Sequence, residues 1–124
     1  MDTPHSDPGR GPLAGLRVLE LGSTVAGSSC GRLFADFGAE VIKVEPAEGD
    51  AVRNMGKRVD GASLYAASIL RNKRLISVDL RTEDGRALVR RIAERSDILV
   101  ENFRPGTLER FGLGYGDLSA VNPD

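Results

Sequence analysis

Leu16-Arg17-Val18-Leu19-Glu20-Leu21 runs into Gly22 and the small residues Ser23 to Cys30; then come Leu33, Phe34 and Phe37, Gly38, and Val41-Ile42-Lys43-Val44-Glu45. An apolar run, a small-residue turn, an apolar pattern of helical spacing and a second β-branched run spell strand, turn, helix and strand. That order is a βαβ unit with parallel strands, and its crossover is expected to be right-handed. Open sheets of this kind take ligands beyond the carboxyl ends of their strands. The turns after Leu21 and Glu45 are therefore the first places to expect function.

Gly22 and Gly27 have the spacing of the outer glycines of a phosphate loop, but Ser28-Ser29 stand where Lys and Ser/Thr are required. The dinucleotide pattern G-x-G-x-x-G is absent as well, because Thr24 and Val25 occupy its middle. Glu45 sits where a ribose-binding acid would fall in a dinucleotide fold. Two readings of the small residues stay open. They let a helix pack close to its strand, or they present backbone N–H groups to an anionic ligand. Cys30 is expected to be a small core residue, and Leu33, Phe34 and Phe37 to face the core.

Further along, Pro46 to Gly61 is a long polar loop in which Arg53, Lys57 and Arg58 are either a solvated surface or phosphate contacts. Ala62 to Arg71 carries Leu64, Tyr65, Ser68 and Ile69 as an amphipathic helix, and Leu75 to Leu80 reads as a third strand. Thr82 is placed to cap a helix with Glu83 and Asp84 in its first turn. The expected apolar face of that helix is Ala87, Leu88, Ile92 and Ala93, with Arg90, Arg91 and Arg95 near its end. Asp97 to Glu101 is strand four. Asn102-Phe103-Arg104-Pro105-Gly106 follows directly, then a short helix from Thr107 to Phe111. An amide, an aromatic ring and an arginine at a strand end suit a nucleotide, with Arg104 and Arg110 offering bidentate grips on phosphate. One further helical turn, Asp117 to Val121, precedes Asn122-Pro123-Asp124, where a fifth strand is expected.

The chain has 124 residues and a formal charge of −1, which argues against an extended polyanion such as nucleic acid as partner. Hydrophobic residues make up 40% and charged ones 28%, the balance of an ordinary folded α/β domain. One cysteine leaves no internal disulfide and no metal cluster, so no metal is expected. No run reaches transmembrane length. Residues 1–11 read as a loose tail without the apolar core of a signal peptide, and residues 12–124 as the N-terminal part of one α/β domain, incomplete where a fifth strand is expected; a cytoplasmic location follows by default. His5, the single histidine, lies in that tail with nothing to orient it.

Four blocks carry a resemblance. They are Pro12 to Glu20, Phe37 to Pro46, Asn72-Lys73-Arg74 with Val78 to Arg81, and Val100-Glu101-Asn102-Phe103-Arg104-Pro105-Gly106. In this order and spacing they resemble the N-terminal part of the class III coenzyme A transferases, the formyl-CoA and carnitine CoA-transferase group that also includes the α-methylacyl-CoA racemases. The resemblance implies a Rossmann-like α/β large domain, a mostly parallel sheet with flanking helices, with CoA or acyl-CoA along the strand ends. It also implies a smaller domain from later sequence, an interlocked homodimer, and a small carboxylate as second substrate. Carried over by position, Thr24, Val25 and Ala26 would line the turn that meets the coenzyme. Val78, Leu80 and Arg81 would flank the nucleotide after strand three, and Asn102, Phe103 and Arg104 after strand four, with Arg110 on a phosphate. Pro46 stands where the formyl-CoA enzyme has an adenine-contacting arginine, and Val25 where it has a glutamine near the thioester. These departures leave the acyl group open. The family's nucleophilic aspartate falls downstream of position 124, so none of these residues is expected to be catalytic. The alternatives are an acyl-CoA racemase of the same superfamily and a stand-alone nucleotide-binding module; Glu101-Asn102-Phe103 leans to the transferases.

Overall fold

The computed structural model describes residues 10–124. His5 and most of the tail lie outside them. The element order is β1 (Arg17–Glu20), α1 (Ala26–Asp36), β2 (Glu40–Glu45), a 3-10 turn (Ala51–Asn54), β3 (Arg58–Val59), β4 (Ala62–Ser63), α2 (Leu64–Ile69), β5 (Arg74–Ser77), α3 (Glu83–Ala93), β6 (Ile98–Val100), α4 (Thr107–Arg110) and α5 (Tyr115–Ser119). Four strands form a parallel sheet in the order β5-β2-β1-β6. The fold is therefore the expected α/β one, and β6 pairs on one side alone among the described residues. The short β3 and β4 make an antiparallel hairpin where the sequence suggested the end of a polar loop, to Gly61, and the first residues of a helix, from Ala62.

Side chains alternate across the sheet, and the alternation sorts the core. Val18 and Val41, opposite each other in register, join Ala35 and Ala39 under α1. Leu19, Leu21 and Val44 point the other way and meet Val89 and Ala93 of α3, with Leu108 and Leu113 beyond. Val52, Ala66, Ile69 and Leu70 make a third, smaller cluster between the 3-10 turn and α2.

Several elements differ from the sequence reading. Cys30 is exposed, and Leu33 and Phe37 are 57% and 51% exposed. The buried face of α1 is instead Gly27, Ser28, Gly31 and Ala35. Small residues win that face because the helix must lie close over charged side chains described below. In α3, Ala87 is exposed and Leu88 is 42% exposed, whereas Val89 is fully buried. The face is Gly85, Val89 and Ala93 with Ile92 packed beside it, so the expected Ile92 and Ala93 face the core and Ala87 and Leu88 do not. Thr82 does cap α3, its Oγ1 accepting from the Gly85 amide at 3.0 Å. The second helix starts at Leu64 rather than Ala62, since Ser63 Oγ accepts from the Ala66 amide and fixes the N-terminus there. Leu64 is half-exposed as a result. The third strand stops at Ser77, and Val78 to Leu80 bend away as loop at its carboxyl end.

Candidate functional site

The chain leaves β1 towards β2 and β5, then returns through α3 to place β6 on the other side of β1. Connections that depart in opposite directions open a crevice at the carboxyl ends of β1 and β6. Gly22 and Ser23 end one strand there and Asn102 follows the other. The Asn102 amide grips the Ser23 backbone from both sides: Nδ2 donates to the Ser23 carbonyl at 3.0 Å and Oδ1 accepts from its N–H at 2.8 Å. Gly22 and Gly27 pack against each other beneath this clamp. A Cβ on Gly22 would stand 2.8 Å from the Gly27 Cα and 2.9 Å from Asn102 Oδ1. Of the two readings of these small residues, close helix-to-strand packing is thus present in the geometry. Thr24 follows with φ 55°, a left-handed conformation that costs a non-glycine residue of order 1–3 kcal/mol.

A cavity of about 620 Å³ opens over these strand ends. Its wall runs from Leu21, Gly22 and Ser23 through Glu45 to Ala51, then Val78 to Arg81, and closes with Phe103 and Phe111. The size and the mix of apolar surface with a few polar groups suit a small molecule or cofactor. Of the residues named from sequence, Pro46, Val78, Leu80, Arg81 and Phe103 share this wall. Thr24 and Asn102 hold the turn beside it. Val25 and Ala26 lie exposed at the start of α1, outside the lining residues. Arg104 is exposed and lines a second groove of about 670 Å³ along β6, α4 and α5, which Phe103 also borders. Arg110 is exposed on α4, its Nη2 3.3 Å from Thr107 Oγ1.

Acids crowd the cavity wall, yet most are already matched. Arg53 forks onto both oxygens of Glu45, with the shortest contact 2.7 Å. This corrects the ribose-binding expectation for Glu45: the residue is 6% exposed and its carboxylate is committed to Arg53. The same pairing takes Arg53 out of the free phosphate contacts, and Arg58 is spent on the Gly61 carbonyl of the hairpin. Arg81 chelates Asp79 through Nε and Nη2 at 2.9 and 3.0 Å. Those hydrogen bonds hold the Asp79 carboxyl below the usual aspartate range. Both partners are solvent-accessible, so the pair is weak and Arg81 can exchange Asp79 for a ligand phosphate at little cost.

Under the turn lies a charge cluster that sequence reading passed over. Lys43 Nζ is fully buried and reaches Glu20 Oε1 at 2.8 Å, Asp50 Oδ2 at 2.9 Å, the Gly22 carbonyl at 2.7 Å and Ser28 Oγ at 3.2 Å. Lys73 Nζ, also buried, lies 2.7 Å from Glu20 Oε2 and donates to the Ser28 carbonyl at 2.7 Å. Two carboxylates face two ammonium groups, so the cluster is neutral as a whole. Burial lowers the Lys73 pKa, and the hydrogen bond to Glu20 only partly offsets this. For Asp50, burial works to raise the pKa. Hydrogen bonds from the Val52 amide and Lys43 outweigh it, leaving the carboxyl below its ordinary value. The signal was present in strand parity. Glu20 shares the α1-facing register of Val18, and Lys43 that of Val41, so both charges had to be buried if the strands were read correctly. Among the described residues no group of three or more His, Cys, Asp or Glu could hold a metal ion. No helix of the described residues is long and apolar enough to cross a membrane.

A parallel sheet with helices on both faces and a ligand-sized crevice over its strand ends defines an open α/β domain of the Rossmann-like kind. Residues 13–124 match the family model for CoA-transferase family III, and the chain belongs to that family. A succinyl-CoA–D-citramalate CoA-transferase of Chloroflexus aurantiacus is 54% identical over 114 residues, spanning 90% of this chain and 28% of the relative. A succinate–glutarate CoA-transferase of Agrobacterium fabrum is 43% identical over 130 residues, spanning 98% and 32%. The crystal structure of a CAIB/BAIF family protein from Brucella suis superposes with a TM-score of 0.84 at 44% identity, covering 90% of this chain and 31% of that one. The chain thus spans about three-tenths of the length of the relatives it matches.

Proposed function

We propose that this chain is the coenzyme-binding part of an acyl-CoA:carboxylate CoA-transferase. The crevice over the strand ends supports the reading most directly. Pro46, Val78, Leu80 and Phe103 offer apolar surface for an adenine ring, and Arg81 offers a cation that its pairing with Asp79 does not lock. Pairing of Glu45 with Arg53 and of Asp50 with Lys43 keeps these two acids of the wall from repelling a polyphosphate. Arg104 and Arg110, exposed after strand four, are assigned to phosphates that extend past the wall. Asn102 and the Thr24–Ala26 segment shape the turn that meets the pantetheine end.

The chemistry proposed for the complete enzyme is that of the family resemblance. An aspartate supplied by polypeptide outside this sequence attacks the thioester carbonyl and expels the CoA thiolate, leaving a mixed anhydride. The thiolate then attacks the aspartyl carbonyl, releases the first carboxylate and forms an aspartyl-CoA thioester. The incoming carboxylate reverses both steps with itself as acyl group. Each hard exchange is divided into easier ones by the covalent intermediate. In this reading the enzyme acts in the cytoplasm as an interlocked homodimer, without a metal. Calorimetry with CoA and a succinyl-CoA exchange assay test the division of labour. The 124-residue chain is expected to bind CoA and to show no transfer to any carboxylate. Turnover by this chain alone would overturn the placement of the nucleophile.

A further inference from the structure

We propose that Lys43 and Asp50 are positioning residues, which hold the Gly22–Thr24 turn in the shape the crevice requires; the inference rests on the coenzyme reading above. Three observations carry it. Lys43 Nζ ties the Gly22 carbonyl to both Glu20 and Asp50 in a site sealed from water. Asp50 Oδ1 accepts the Thr24 amide at 3.1 Å and the Val52 amide at 3.0 Å. One carboxylate therefore joins the turn after β1 to the loop after β2, the two walls that meet at the crevice. Thr24, the residue so held, is itself in a left-handed conformation, which it shares only with Asp60 and Asn72 among the described non-glycine residues. A strained residue persists only where its surroundings over-determine it, and here the fastening is ionic and buried.

A purely structural cluster would behave differently. Replacing a buried ion pair by uncharged groups is often neutral for stability, whereas removing one partner is costly. Lys43→Met with Asp50→Ser removes one charge of each sign and leaves Glu20 facing Lys73. The hydroxyl introduced by Asp50→Ser still caps the Val52 amide, but its side chain is too short to reach Thr24. The double variant is expected to regain most of the urea midpoint that Lys43→Met alone loses. Its affinity for CoA is expected to stay weaker by at least about tenfold, the loss typical of a charged hydrogen bond removed from a site. The Thr24 amide is expected to exchange with deuterium faster than in the parent chain. Affinity that returns with stability, or a Thr24 amide that keeps its protection, overturns the proposal. Should the double variant not fold, Asp50→Ser alone is read by the same exchange and binding measurements, with the same outcomes deciding. If the parent chain does not bind CoA, the coenzyme reading fails, and the Thr24 exchange rate alone decides the positioning role.

Discussion

Gly31→Ala puts a number on the buried charge cluster. In mid-helix such a change ordinarily stabilises by about 1 kcal/mol through helix propensity. Here the new Cβ would sit 1.9 Å from Glu20 Oε2 and 3.2 Å from Lys73 Nζ. An ordinary contact begins near 3.4 Å, so the carboxylate must retreat by 3.4 − 1.9 = 1.5 Å. Its contact with Lys73 is only 2.7 Å, and both side chains are fully buried. A retreat of that size breaks the pair and strands a charge, which costs about 3–5 kcal/mol. Set against the propensity gain, the net loss is about 2–4 kcal/mol. Gly116→Ala is the control, since its Cβ would meet nothing within 4 Å. That change is expected to stay within about 0.5 kcal/mol of the parent. Urea unfolding followed by circular dichroism reads both. A Gly31→Ala chain as stable as the parent, or more so, would refute the claim that Gly31 makes room for the Glu20–Lys73 pair.

Thr82→Ala should cost about 1 kcal/mol in the same assay, because its Oγ1 caps α3 on the Gly85 amide. Acid should destabilise the fold through Asp36 and Asp50. Hydrogen bonding by Arg71 holds Asp36 below the ordinary 3.8, and Val52 and Lys43 do the same for Asp50 against its burial. The unfolded chain then binds protons more readily, so the native advantage is complete above that value and is lost as pH falls through the lower folded values; a urea midpoint unchanged between pH 5 and pH 3 would contradict this. Phe103→Ala should weaken CoA binding by about 1–3 kcal/mol if the ring stacks on adenine. Arg81→Ala should cost about 1.5–3 kcal/mol if the guanidinium meets phosphate, and calorimetry that finds either affinity unchanged removes that residue from the site.

The strand-turn-helix-strand order of residues 16–45 was legible because periodicity and glycine placement are local signals. The cap was legible too at Thr82, where a hydroxyl directly precedes the acids of a first turn. What escaped was depth. Val89 and Leu88 are adjacent, and a helix rotated by one residue exchanges which of them is buried; sequence spacing alone does not set that rotation. α1 misled in the opposite direction. Its large apolar residues Leu33 and Phe37 lie outward, since the space beneath the helix is filled by Glu20, Lys43 and Lys73, and only Gly27, Ser28, Gly31 and Ala35 fit above them. The Glu45–Arg53 fork escaped because the partners are joined by the 3-10 turn, an element with no periodicity to read. At the site, loop residues after all four strands of the sheet converge as the topology required. The positions of Arg104 and Arg110 depend on how α4 folds back, which no local pattern specified.

Everything proposed for this chain requires CoA to sit in the crevice over the carboxyl ends of β1, β2, β5 and β6. Titration of the isotopically labelled chain with CoA, followed through its backbone amides, tests this most directly. Shifts are expected to concentrate at Gly22, Ser23, Val78, Leu80, Arg81 and Phe103. Shifts confined to the groove along β6, at Ser96, Leu118 and Asn122, or none at millimolar CoA, would contradict it.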